Sequence, residues 1–175
     1  MNKILMSIKP QWCSKIFDGE KMIELRKTRP KLEPPFEVLV YETKGQFIKS
    51  VKGACTTYGY GRGKVIGSFV CDKITCCQAY YGSSGEGHLT NLFGTECKRA
   101  CLSEQELFDY ITGNGGKMGT GWLWHITEPK LFDKPRELTE FTLGRGFSAG
   151  RFPLTRPPQS WCYVEDKKEV WKYGT

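Results

Sequence analysis

The stretch that decides the fold is Met1–Lys27, which reads M-N-K-I-L-M-S-I-K-P-Q-W-C-S-K-I-F-D-G-E-K-M-I-E-L-R-K. Its apolar run Ile4–Ile8 is long enough for one strand. Pro10 stands where a helix can begin, because the first helical turn does not need the N–H that proline lacks. Apolar residues then recur at one-turn spacing as far as Phe17, which is typical of a helix with one buried face. Gly19 suits a left-handed cap, so the stretch predicts a strand, a helix and a second strand.

The second strand gathers charged side chains in front of apolar ones. Alternation along a strand places Glu24 and Arg26 on one face and Ile23 and Leu25 on the other. Lys21 stands at the entrance of the strand, just beyond the glycine cap. We therefore expect Lys21, Glu24 and Arg26 to line one polar pocket under the preceding helix, and they are the candidate catalytic residues.

Four segments in a fixed order carry a resemblance to a known family. They are G-E-K-M-I-E-L-R-K at Gly19–Lys27, V-L-V-Y-E-T-K at Val38–Lys44, G-K-V-I-G-S-F-V-C-D-K-I at Gly63–Ile74 and P-P-Q-S-W-C-Y-V-E at Pro157–Glu165. The first is similar to the G-x-K-x-x-[E/T]-x-R signature of ASCH domains, which are small PUA-like domains associated with RNA and common in bacterial and phage genomes. The resemblance implies an α+β fold, a mixed-to-antiparallel PUA-like ASCH β-barrel with two or three flanking helices.

Length and composition are those of a globular protein. The chain has 175 residues, of which 39% are hydrophobic and 26% charged, so it suits one domain with a real core. We expect a single ASCH domain over residues 1–175, with long loops near residues 45–63, 78–102 and 142–156. No apolar run approaches membrane-spanning length, and no secretory leader is visible, so we expect a cytoplasmic protein with no membrane partner.

The net charge of +7 is unevenly distributed. Residues 1–64 hold thirteen Lys or Arg and six Asp or Glu, 13 − 6 = +7, whereas residues 65–175 hold thirteen of each. All the excess positive charge therefore lies in the part that carries the signature, which favours a polyanionic partner. A generally basic surface kept for solubility explains the same asymmetry.

The segment Gly45–Gly63 interleaves tyrosines with lysines and arginine. Aromatic rings between cations suit single-stranded nucleic acid, because bases stack on the rings and phosphates meet the cations. A flexible hairpin tip is an equally good interpretation.

Five further polar residues are candidate ligand-binding positions. Tyr41 lies near the end of a predicted strand, Ser68 lies within another, and Gln159 and Ser160 precede the last strand, where polar groups can read a base edge. Lys9 completes this set. A packed aromatic residue for Tyr41 and an ordinary strand serine for Ser68 remain the structural alternatives.

Two local patterns make specific structural predictions. Ser103 followed by Glu106 is a capping box at the start of a helix that Gly113 ends. Gly67 in the middle of the strand Lys64–Thr75 predicts a bulge or a close backbone approach.

The eight cysteines form no C-x-x-C pair, and the chain has only two histidines. Cys97 and Cys101 are four residues apart, whereas zinc ligands usually come in tighter pairs. His125 is typical of a structural histidine and His88 of a surface one. We therefore expect reduced thiols, no metal site and no cofactor.

The ASCH resemblance leaves two functions open. Some small ASCH proteins are amidohydrolases that deacylate a modified cytidine, with a nucleophilic threonine three residues after the lysine. This chain keeps Lys21 but has Glu24 in place of that threonine. A threonine can form an acyl-enzyme, whereas a carboxylate is suited to act as a general base for water. Other ASCH proteins are linked to RNA cleavage, in which Lys21 and Arg26 would stabilise a phosphorane and Tyr41 or Glu24 would move the proton.

Lys21, Glu24 and Arg26 are equally consistent with a mutually neutralising set of salt bridges. We predict a protein that binds RNA, single-stranded nucleic acid or a nucleotide through a basic pocket around these residues. The alternative is a hydrolase that acts on a modified nucleoside or on RNA phosphodiesters. The sequence indicates no obligate protein partner.

Overall fold

The computed structural model describes residues 3–52, 55–91, 94–113, 118–144 and 152–166. Their regular elements are the strands and helices that follow in chain order: β1 (Lys3–Ile8), α1 (Pro10–Phe17), β2 (Ile23–Arg26), β3 (Phe36–Glu42), β4 (Gln46–Lys52), β5 (Cys55–Tyr60), β6 (Lys64–Tyr81), β7 (Gly87–Leu89), α2 (Gly94–Ala100), α3 (Glu104–Thr112), β8 (Met118–Arg136), β9 (Phe141–Leu143) and β10 (Trp161–Asp166). A short 3₁₀ turn, Leu138–Glu140, precedes β9.

The chain divides into two compact units. The first unit contains Met1–Phe17, Phe36–Val70 and Glu128–Thr175, and the second contains Asp18–Pro35 and Cys71–Thr127. The long strands β6 and β8 each pass from one unit into the other.

The first unit is built around β1. This strand pairs in parallel with β3 and antiparallel with β10, which in turn pairs antiparallel with β9. The last five residues of β1, Ile4–Ile8, are all buried, as this apolar run predicts. The buried apolar cluster of this unit comprises Leu5, Leu39, Tyr41, Val65, Leu138, Phe141, Leu154 and Val164.

The second unit is built around the antiparallel pair β2 and β8, with α2 and α3. The capping box predicted at Ser103 is present, because its hydroxyl accepts from the N–H of Glu106 and the Glu106 carboxylate accepts from the N–H of Ser103. Gly113 ends α3 with a φ of 76°. The buried cluster of this unit comprises Ile23, Leu25, Cys77, Ala79, Cys97, Ala100, Leu107, Phe108, Ile111 and Leu123.

The predicted α+β class is confirmed, and three α-helices lie among the described residues. The large sheet has the order β2-β8-β6-β3-β1-β10-β9, with β7 paired to β6. The end strands β2 and β9 are not paired to each other in the part of the chain that the structure describes, so the sheet is open there and not a closed barrel. No helix in that part has both the length and the apolar character needed to cross a membrane.

Two of the expected loops contain regular structure. Residues 45–63 hold the antiparallel hairpin β4–β5, and residues 78–102 hold the end of β6 together with β7 and α2. Near residues 142–156, β9 extends to Leu143, and residues 145–151 lie outside the described residues. The expected loops at 45–63 and 78–102 thus underestimate the regular structure, because the strands there show no regular alternation of apolar and polar residues.

Gly67 makes the close backbone approach that its position predicts. A Cβ at this residue would lie 2.8 Å from the ring of Phe17 and closer still to the carbonyl oxygen of Lys130. Only glycine therefore lets β6 lie this close to its neighbours.

Candidate functional site

The charged residues of β2 form one connected cluster. Glu24 shares its carboxylate between two cations, with Oε2 3.4 Å from Lys21 Nζ and Oε1 3.1 Å from Arg26 Nη2. Lys21 Nζ also donates a hydrogen bond of 2.6 Å to the carbonyl oxygen of Ala100 at the end of α2. The structure thus brings together the three candidate catalytic residues, which we call the β2 triad.

The β2 triad is largely enclosed. The side chains of Lys21, Glu24 and Arg26 are 2%, 9% and 11% exposed. In the register with β8, Glu24 lies opposite Trp124 and Arg26 opposite Trp122. The predicted alternation is therefore present, since the intervening residues of β2 belong to the buried apolar cluster.

The enclosed geometry has a chemical consequence. The Glu24 carboxylate neutralises one of the two positive charges around it, as in the salt-bridge set that the sequence leaves open. Lys21 exposes almost no surface to a ligand, whereas Arg26 lies at the edge of the triad. The triad as it stands is suited to holding the Arg26 guanidinium in a fixed orientation.

Two cation–aromatic pairs lie beside the triad. Lys27 Nζ is 5.6 Å from the centre of the Tyr110 ring, and the Arg29 guanidinium carbon is 5.3 Å from that of Trp122. Burial raises the pKa of the Tyr110 hydroxyl, and the positive charge of Arg26 acts in the opposite direction. We call Arg26, Lys27, Arg29, Tyr110 and Trp122 together the β2 surface.

A shallow cavity of about 510 Å³ opens on this surface. It is lined by Lys27, Glu106, Asp109, Tyr110 and Gly113. Both of its carboxylates are engaged within the helix, since Glu106 caps α3 and Asp109 accepts a hydrogen bond from Gln105. The remaining lining is a cation and an aromatic ring. Sequence reasoning missed Tyr110 and Trp122 because only the fold brings them to β2.

The other candidate ligand-binding residues belong to the first unit. Ser7 connects two of them, because it pairs with Tyr41 in β3 and its N–H donates to the carbonyl oxygen of Ser160 at 3.0 Å. The Ser7 hydroxyl donates to the carbonyl oxygen of Pro158 at 2.6 Å. Ser7 was not predicted as a site residue, although it is the sole polar residue of the run Ile4–Ile8.

Tyr41 is 5% exposed and lines a cavity of about 410 Å³ in the first unit. Burial raises the pKa of its hydroxyl, and the negative charge of Glu137 adds to that effect. Ser68 is 8% exposed, whereas the side chains of Lys9 and Gln159 are exposed.

The thiols and histidines show no metal site in the described residues, where no three His, Cys, Asp or Glu side chains converge. Cys97 is buried in the apolar cluster of the second unit, and the Cys101 thiol donates to the carbonyl oxygen of Glu20 at 3.5 Å. The absence of a metal and of a cofactor stays a prediction.

His125 is a buried histidine with one hydrogen-bonding partner on the neighbouring strand. Its Nε2 lies 3.0 Å from the hydroxyl oxygen of Thr75. Burial lowers its pKa below the ordinary value of 6.5, and the positive charges of Arg99 and Lys73 act in the same direction. The neutral imidazole is therefore the form that the fold accommodates.

Stability is expected to depend on pH through His125. Because its folded pKa is lowered, the unfolded chain binds the proton first, so this contribution is full above about pH 6.5 and is lost as the pH falls below that value. His125→Gln should flatten the decline of the melting temperature between about pH 7 and pH 5. His88→Gln, at the exposed histidine, is the control, and equal pH profiles for both variants and the parent would contradict the prediction.

No protein-family model matches the chain, and no curated protein sequence matches it. Solved structures do match. The crystal structure of an ASCH protein from Zymomonas mobilis shares 22% identity, covers 97% of this chain and 92% of its own, and has a TM-score of 0.58.

Two variants of the Zymomonas mobilis ASCH protein match as well. A serine-to-alanine variant shares 20% identity over 97% of this chain and 92% of its own, with a TM-score of 0.59. A tyrosine-to-phenylalanine variant shares 18% identity over 100% of both chains, with a TM-score of 0.55. At these identities the likeness shows the fold. The chain therefore has the fold of the ASCH domain proteins, as the four segments from Gly19–Lys27 to Pro157–Glu165 predict.

Proposed function

We propose that the chain binds RNA or a nucleotide through the β2 surface. The observation that carries this proposal is the pair of cation–aromatic contacts, Lys27 with Tyr110 and Arg29 with Trp122, next to the ion-paired Arg26. Tyr110 is exposed and Trp122 half-buried, and cations beside accessible aromatic rings provide the two contacts that a nucleotide needs, one to the phosphate and one to the base.

Local charge supports the same ligand class. Residues 21–29 hold four Lys or Arg and one Glu, so this segment contributes 4 − 1 = +3. The planar guanidinium of Arg26 offers a fork that fits a phosphate or a base edge. In this proposal Glu24 orients Arg26, and Lys21 compensates the buried carboxylate.

A second candidate function is hydrolysis of a modified nucleoside or of an RNA phosphodiester. The contact of 3.4 Å between Lys21 and Glu24 favours it, because it holds the ionised Glu24 carboxylate in place to accept a proton from an attacking water. In that reaction Glu24 would accept the proton from water, while Arg26 would hold the anionic or carbonyl group of the substrate.

Binding is tested with single-stranded RNA decamers and the variants Lys27→Ala and Arg29→Ala. Each variant is expected to weaken binding by about tenfold and to lower the slope of log affinity against log salt by about 0.7, which is one phosphate contact on a single strand. Lys98→Ala, at an exposed lysine on α2 in the same unit, is the matched control and should change neither quantity appreciably.

Glu24→Gln separates the two candidate functions. A binding protein should retain RNA affinity, whereas a hydrolase that uses Glu24 as its base should lose most of its turnover of acylated cytidine or RNA. If RNA affinity is undetectable, or if it survives Lys27→Ala and Arg29→Ala unchanged, the proposed binding surface is wrong.

A further inference from the structure

The hairpin β4–β5 forms a two-stranded sheet of its own in the first unit. Its register pairs Gln46 with Tyr60, Phe47 with Gly59 and Ile48 with Tyr58. Because side chains alternate across a strand, the first and third pairs share one face and the second pair lies on the other.

The two faces differ in how they are filled. On one face, the Phe47 ring lies across Gly59, where an added Cβ would be 2.6 Å from the ring. On the other face, Tyr58 is 54% exposed, Tyr60 73% exposed and Ile48 60% exposed. We call this second face, with Ile48, Tyr58 and Tyr60, the hairpin platform. Large apolar groups that share one exposed face are unusual and point to a binding surface.

The charge of the segment that carries the platform favours one class of occupant. Residues 44–64 contain five Lys or Arg and no Asp or Glu. Lys44 and Arg62 are exposed at the base of the hairpin, whereas Lys64 forms an ion pair with Glu137 at 2.6 Å. A second copy of so basic a segment would be repelled, while a polyanion with stacking bases complements both the rings and the charges.

The backbone holds the base of the hairpin in a defined place. Gly61 N–H donates to the carbonyl oxygen of Gly45 at 2.8 Å, and Gly63 N–H donates to that of Glu42 at 3.1 Å. The Glu42 carboxylate accepts from the N–H of Arg62 at 2.7 Å. Tyr60 is therefore presented from a fixed turn.

We propose that the hairpin platform is a stacking surface for the bases of single-stranded RNA. Tyr58 and Tyr60 are two residues apart on one face, about 7 Å along the strand, so each ring has room for one base. Lys44 and Arg62 contact the phosphates that link the stacked bases. The inference rests on the proposed RNA binding and adds a second contact surface to it.

The test measures binding of a fluorescent uridine decamer by anisotropy over a series of salt concentrations. Tyr58→Ala and Tyr60→Ala are each expected to weaken binding about tenfold, whereas Tyr58→Phe and Tyr60→Phe should retain most of the affinity because the ring remains. Arg62→Ala should lower the salt slope by about 0.7. Tyr80→Ala, at a tyrosine 38% exposed in the second unit, is the matched control and should bind like the parent.

Leucine at the two tyrosine positions keeps apolar bulk without a ring. Tyr58→Leu and Tyr60→Leu should therefore bind as weakly as the alanine variants, and this readout also serves if an alanine variant fails to fold. If the parent binds RNA and the alanine and leucine variants bind it as tightly as the parent, the hairpin platform is not a stacking surface, while the proposed function stands. If the parent binds no RNA, both proposals fail. Dimerisation by light scattering that the tyrosine variants abolish would also overturn the platform.

Discussion

Replacing Glu24 with alanine is expected to lower the free energy of unfolding by about 3–5 kcal/mol, the usual cost of breaking a buried ion pair. The carboxylate lies between Lys21 and Arg26 at 3.4 and 3.1 Å, and Lys21 is only 2% exposed. Its removal leaves two enclosed cations next to each other without the negative charge that separates them. Urea denaturation followed by tryptophan fluorescence measures the loss.

The matched control is Glu33→Ala. Glu33 also forms an ion pair at 3.1 Å, with Arg29, but its side chain is 83% exposed. Water screens such a pair, so its removal should cost about 1 kcal/mol or less. Glu24→Gln keeps an acceptor for Arg26 and should fall between the two. Equal stabilities of the Glu24→Ala and Glu33→Ala variants would show that the β2 triad is not a buried ion-pair cluster.

The β2 triad could be predicted from the sequence because its geometry is local. Alternation along one strand sets the face of Glu24 and Arg26, and Gly19 ends the preceding helix with a φ of 78°. The partners that define the chemistry of the site are not local. Ala100, Tyr110 and Trp122 reach β2 from α2, α3 and β8, and their sequence separation gives no signal of that contact.

The burial of the β2 triad could not be predicted from the sequence. A cluster of three charged residues is ordinarily solvated, and neither the spacing nor the charges indicated that Lys21 would be the most enclosed of the three. The difference in burial changes the roles in the proposed function. The enclosed Lys21 supports the Glu24 carboxylate, and Arg26 at the edge of the triad contacts the ligand.

The regular structure within the expected loops at 45–63 and 78–102 was missed because it, too, depends on long-range contacts. The hairpin strands β4 and β5 read Q-F-I-K-S-V-K and C-T-T-Y-G-Y, and neither sequence alternates regularly between apolar and polar residues. In the first unit, Tyr41 and Ser160 were separate candidates, whereas Ser7, which contacts the backbone of both residues, carries no motif. In both cases strand pairing, which is a long-range property, decides what the residues contact.

The second large effect is expected at Arg136, at the end of β8. Its guanidinium donates to both carboxylate oxygens of Asp166 in β10, at 2.5 and 2.8 Å, and to the Glu140 carboxylate at 3.1 Å. It also lies over the Phe141 ring, 4.4 Å from the ring centre. Asp166 is 7% exposed, so Arg136 neutralises a carboxylate that water scarcely reaches.

Arg136→Ala is therefore expected to destabilise the protein by about 3 kcal/mol, because it leaves two neighbouring carboxylates without their shared cation. Arg136→Lys keeps the charge but not the planar fork, so it should recover only part of the loss. A double-mutant cycle with Asp166→Asn isolates the pair, and a coupling free energy above about 1 kcal/mol is expected. Arg136 and Asp166 belong to neither proposed RNA surface, so the RNA affinity of the folded Arg136→Lys variant should stay that of the parent. A coupling free energy near zero would show that the Arg136–Asp166 pair does not stabilise the fold, although Asp166 is only 7% exposed.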